Sequence, residues 1–106
     1  MKWKIAYYNN SVKDDHRDLE MTIKAKFEAI LDKMLEYGPD LGLPFTRPMG
    51  KGLFEIRAKG QSGIARGFFC TIVSNTIVIL HIFNKKAQKT PQKELELARK
   101  RMKEVK

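Results

Sequence analysis

Two arginines and three lysines in the second half of the chain carry the residue types and spacing for chemistry on an anion. Arg57 lies within LFEIRAK and Arg66 within IARGFFC. Both runs are apolar and β-branched, so a guanidinium there is costly unless it is paired or opens to solvent. Strand alternation puts Leu53, Glu55 and Arg57 on one face and Phe54, Ile56 and Ala58 on the other. Two readings of the arginines stand open. One of them pairs with Glu55 across the sheet, or both project into a cleft that receives phosphate, to which planar guanidinium groups offer bidentate donors. Lys85, Lys86 and Lys89 crowd the end of the apolar run LHIF. Like charges set side by side lower one another's affinity for protons, an arrangement that suits an anion site better than scaffolding.

Other constellations are poorer. His81, at the end of an apolar run, reads as a hydrogen-bonded sheet histidine before it reads as a catalyst. His16, among Lys13, Asp14, Asp15, Arg17 and Asp18, reads as solvated. Two separate histidines and the one cysteine, Cys70, have no metal-ligand spacing and no disulfide partner. Nucleophile-elbow, Walker-type and dinucleotide signatures do not occur either, so a serine, cysteine or metal hydrolase is not expected. The charged site calls for no cofactor.

The elements that must position these side chains follow from patterning. At 106 residues and 42% hydrophobic composition, the chain is expected to be one domain over 1–106 with a modest core. Trp3 to Tyr8 reads as a strand. A helix capped by Ser11 or a nearby Asp follows, with Leu19, Ile23, Phe27, Ile30, Leu31, Met34 and Leu35 as its apolar stripe, and stops at Tyr37-Gly38-Pro39. Residues 39–52 read as an irregular connector. Strands are expected over Leu53–Ala58, Ile64–Val73 and Ile77–Phe83 as an antiparallel meander, then a helix over Glu94–Val105 with Pro91 near its first turn. The order is β-α-β-β-β-α, an α+β fold.

Charge narrows the partner. Twenty-one Lys and Arg against 12 Asp and Glu give +9, and the segment from Lys85 onward holds nine basic residues and three acidic ones. A basic excess so placed is the footprint of a nucleic-acid binder, or more plainly a solvated basic helix. No run approaches the roughly 18 apolar residues of a membrane span, and the start lacks a signal-peptide core. A cytoplasmic protein with no membrane contact is expected.

GLFEIRAKG, IARGFFCTIV, IVILHIFNKKAQKTP and ELARKRMKE, in that order, resemble the RelE/HigB toxins of bacterial type II toxin-antitoxin systems, in their phage-derived branch. The likeness spans about Leu35 to Val105. It implies a RelE-like fold whose helices cover one face of a small antiparallel sheet while the other, concave face takes messenger RNA on the ribosome. It further implies a metal-independent endoribonuclease in which the ribose 2′-hydroxyl attacks the adjacent phosphate. By position, Arg57, Arg66 and Lys85 or Lys86 would be catalytic: the arginines stabilise the developing charge, and one of the lysines moves a proton. Lys89, Phe83 and Lys59 would contact RNA, with Phe83 equally suited to stacking on a base or to the core. Some relatives use a Tyr or His near the C-terminus, and this chain has neither after His81. The implied partner is a cognate antitoxin, itself carrying the helix-turn-helix. The same fold serves ParE-like toxins that inhibit DNA gyrase, and a binding module without chemistry is the third reading.

Overall fold

A computed structural model describes residues 2–85 and 91–106, with Lys85 described by its backbone alone. The element order is β1 (Lys4–Tyr7), α1 (Asn10–Arg17), α2 (Met21–Tyr37), β2 (Thr46–Gly50), β3 (Leu53–Lys59), β4 (Ile64–Ile72), β5 (Thr76–Lys85) and α3 (Gln92–Val105). The α+β class expected from patterning is the class found. Three details differ.

The first helical stretch is two helices. The Asn9 side chain, rather than Ser11 or an Asp, caps α1 by accepting from the Val12 N–H at 2.9 Å. The chain breaks at Asp18-Leu19-Glu20, where carboxylates compete with the helix for backbone donors. Glu20 then caps α2 by accepting from the Thr22 N–H. At the other end of α2, Gly38 takes φ 94° and returns its N–H to the Met34 carbonyl at 2.8 Å. A Cβ there would also meet the Trp3 indole at 3.3 Å, so glycine serves both the left-handed cap and the close approach of the strand that opens the fold.

The connector contains a strand. β2 pairs antiparallel with β3, with Arg47 opposite Glu55, although Pro48 and two glycines hide it from propensity arguments. The sheet order is β1-β5-β4-β3-β2. β1 runs parallel to β5, so the expected antiparallel meander is flanked by one parallel edge.

The helices occupy both faces of the sheet, which corrects the expectation that the C-terminal helix shares a face with the others. Ile56, Ala58, Phe69, Ile77, Ile79 and Ile82 pack with Phe27, Ile30 and Met34 of α2. On the opposite face Leu53, Phe68, Cys70, Val78 and Leu80 pack with Ala98 and Met102 of α3. Alternation along each strand feeds the two cores in turn. Among the described residues no helix is long and apolar enough to cross a membrane.

Candidate anion site on the sheet

The site lies on the α3 face, at the end of the sheet away from Leu53, Cys70 and Val78. Cross-strand partners share a face, so two rows can be read from the register. Arg57 of β3 stands opposite Arg66 of β4, which stands opposite Phe83 of β5. The neighbouring row runs Arg47, Glu55, Phe68 and His81. Beyond Arg57, Lys59 pairs with Ile64, and Ile64 with Lys85.

A β-bulge decides which residues of β5 join this face. Phe68 pairs with His81 but Phe69 pairs with Ile79, leaving Leu80 as the extra residue. The bulge inverts the alternation of β5. Val78 and Leu80 belong to the α3 core, whereas Ile82 turns to the other core. His81 and Phe83 thereby share the face of the arginines. Arg101 of α3 donates to the Leu80 carbonyl at 2.8 Å, pairing a backbone group of the bulged residue.

Of the two readings of the arginines, pairing with Glu55 holds for Arg66. Its Nη1 donates to Glu55 Oε1 at 2.7 Å, and Arg47 Nε donates to the same oxygen at 2.9 Å. Glu55 and Arg66 are 1% and 4% exposed, so the carboxylate is offset by a guanidinium that is equally withdrawn from water. The Nε of Arg66 is buried with no hydrogen-bond partner among the described residues. Arg57 differs. It is exposed, and among the described residues it forms no ion pair. Arg66 is thus the fixed cation of the pair and Arg57 the accessible one.

Beside this pair the chain leaves a hollow of about 230 Å³. One wall is the segment Leu43 to Arg47 that leads into and opens β2; Glu55, Arg57 and Arg66 form the other. Three guanidinium groups and one carboxylate give the lining a net positive charge, the arrangement that attracts a phosphate. Neither Arg47 nor this wall was singled out from sequence. The signal available was the arginine in TRPMGKG, three positions before the first glycine of the turn, which becomes informative only once β2 is recognised as a strand.

The other candidates fall as follows. Phe83 is half-buried, stacked on His81 with ring centroids 5.6 Å apart, and also touches Phe68. It belongs to the aromatic floor beside the arginines and packs against the α3 core. His81 is hydrogen-bonded through Nε2 to Glu94 of α3, as a structural sheet histidine would be. Lys59 is exposed. Lys86 and Lys89 lie outside the described residues. His16 is buried, which corrects its reading as solvated. The Tyr7 hydroxyl lies 2.6 Å from its Nδ1 and a Glu28 oxygen 3.1 Å from its Nε2. Burial lowers the His16 pKa, against the opposing pull of Glu28. This cluster is on the α1–α2 side, remote in the fold from the arginines. Part of the C-terminal charge is also structural: Arg99 donates to the Met49 and Gly50 carbonyls, and Arg101 lies over the Tyr8 ring at 4.7 Å.

No curated protein matches the chain. Residues 14–103 match the family described as Phage derived protein Gp49-like (DUF891), a stretch that takes in α2, the four consecutive strands of the site and nearly all of α3. The chain belongs to this phage-derived Gp49-like family, within the RelE/HigB-like toxin group.

Proposed function

We propose that the chain is the toxin of a type II toxin-antitoxin pair and cuts messenger RNA on the ribosome. The observation that carries this reading is the register that sets Arg57, Arg66 and Phe83 side by side next to a cationic hollow. In the proposed reaction the ribose 2′-oxygen attacks the adjacent phosphorus, a 2′,3′-cyclic phosphate forms, and the 5′-oxygen departs. The phosphorane gains negative charge on its equatorial oxygens. Arg57 meets that charge from the solvent side, and Arg66, held by Glu55, meets it from a fixed position. A cation already in place stabilises the transition state without reorganising, which lowers the barrier more than it tightens substrate. The proton leaving the 2′-hydroxyl and the one reaching the 5′-oxygen need a carrier, and Lys85 or Lys86 fills one of those roles. Lys59 and Lys89 bind the RNA backbone, and the half-buried Phe83 contacts a base. The antitoxin, a separate protein, silences the site by covering this face with an acidic or helical segment. A gyrase inhibitor has no need of aligned guanidinium groups on the sheet, so the RNA reading is preferred.

Arg57→Ala is the cleanest test. The side chain is exposed and makes no ion pair among the described residues, so its loss leaves the fold intact by circular dichroism. Primer extension on messages in translating ribosomes is expected to show new 5′ ends with the parent protein and a loss of at least about 100-fold in their rate of appearance with the variant. Unbroken messages with the parent, accompanied by relaxation of plasmid DNA, would assign the chain to gyrase instead.

A further inference from the structure

We propose that the hollow beside the arginines seats one unpaired guanine of the bound RNA, stacked against Leu43 and Pro44 and read by Arg47. The inference rests on the RNA reading above and adds a base preference to it. Its starting point is an oddity: Leu43 is 72% exposed, yet it stands directly beside Pro44 and Phe45 on the rim of a cationic hollow. An apolar wall facing guanidinium groups suits neither a free phosphate nor a purely apolar ligand. It suits a nucleotide, whose base is flat and apolar on its faces and whose phosphate is anionic.

The wall is held in place. Thr46 is buried, and its Oγ1 accepts from the Leu41 and Gly42 N–H groups at 2.9 and 3.2 Å. The Phe45 ring anchors the wall from behind: it packs against the α1–α2 core, with the ammonium groups of Lys26 and Lys33 at 5.3 and 5.0 Å from its centre. The Phe45 carbonyl accepts from the Arg57 N–H at 2.9 Å, which ties the wall to the strand that carries the accessible cation. At about 230 Å³ the hollow is smaller than the roughly 300–1,000 Å³ of sites that enclose drug-sized ligands, a size for one base. Because Arg57 and Arg66 line the same hollow, the base seated there belongs to a nucleotide next to the bound phosphate.

Arg47 supplies the reading head. Its Nε is fixed on Glu55, its side chain is 45% exposed, and its two terminal nitrogens have no partner among the described residues. A guanidinium fork presents two donors. Guanine answers with two acceptors, O6 and N7, whereas adenine sets an amino donor where O6 would be. The preference is therefore for guanine.

The test uses two fluorescent 2′-O-methyl hexaribonucleotides that cannot be cut by 2′-attack, one with a single guanine among uridines and one with a single adenine. Anisotropy titrations at low salt are expected to show the parent binding the guanine version at least about fivefold more tightly. Arg47→Lys keeps the charge but loses the fork and is expected to abolish the preference. Leu43→Ser, at an exposed position that cannot unfold the protein, is expected to weaken binding of both. Equal affinities in the parent, a preference that survives Arg47→Lys, or no measurable binding of either oligonucleotide each overturns the seat. Cleavage on ribosomes with equal affinities here would sink the seat and spare the nuclease; a guanine preference without cleavage would do the reverse.

Discussion

Glu55 is the residue on which the site's geometry depends. A carboxylate at 1% exposure holds two guanidinium groups through one oxygen, and it fixes Arg66 before any substrate arrives. Removing one partner of a buried ion pair leaves the other charge uncompensated, at a cost of about 3–5 kcal/mol. Glu55→Ala is therefore expected to lose about 3 kcal/mol or more in urea unfolding, whereas Arg57→Ala stays within about 0.5 kcal/mol of the parent. Equal stabilities for the two variants would mean that Glu55 does not hold the site. The asymmetry also explains what could be read from sequence. Alternation along LFEIRAK places Glu55 and Arg57 on one face, and mid-strand charges mark themselves as paired or functional, so both readings of the arginines were visible. Which arginine takes which was not, because that depends on the β3–β4 register and on Arg47, supplied by a strand that its Pro and Gly residues concealed.

At the scale of elements, a single extra residue in β5 brings the site together. Without the bulge at Leu80, strict alternation would send Phe83 to the α1–α2 face and Ile82 toward the arginines. The bulge carries its own support from α3: Arg101 donates to the Leu80 carbonyl, and Glu94 bonds His81 one position on. A hydrogen bond to a charged donor contributes about 1.5–3 kcal/mol. Arg101→Met retains much of the aliphatic packing and removes the donor. It is expected to destabilise by about 1.5 kcal/mol in urea unfolding and to raise amide hydrogen exchange locally around Leu80. Uniform exchange rates across β5 in the variant, matching the parent, would show that the bulge stands without this bond. No pattern in TIVILHIF announces the bulge, since a run apolar on both faces has no alternation to interrupt. The strands and helices themselves were legible to within a few residues, because their periodicity comes from local burial; the bulge, the parallel edge and the choice of face for α3 come from long-range packing that no short window contains.

For the whole molecule, the question is whether the +9 net charge acts as one diffuse field or as a patch with a defined position. Arg66 is held by Glu55, and Arg99 and Arg101 are engaged with backbone carbonyls, so several formal charges are tied within the fold. Among the described residues, the cations open to a ligand on the sheet face are Arg47 and Arg57, with Lys59 beyond them. Lys100 and Lys103 are exposed on α3, whose C-terminal end reaches the opposite end of the sheet, where the Lys106 ammonium lies against Gly52. Each phosphate contact with a single strand releases counterions and contributes about 0.7 to the slope of log affinity against log salt. The three phosphate contacts proposed above, from Arg57, Lys59 and Lys89, give a slope of about −2 for the uncleavable oligonucleotides. Arg57→Ala is expected to reduce that slope by about 0.7, and Lys100→Gln with Lys103→Gln to leave it unchanged. A diffuse field would respond alike to every lost charge, so equal reductions from α3 and from the sheet would move the RNA surface off the arginine row and onto the molecule as a whole.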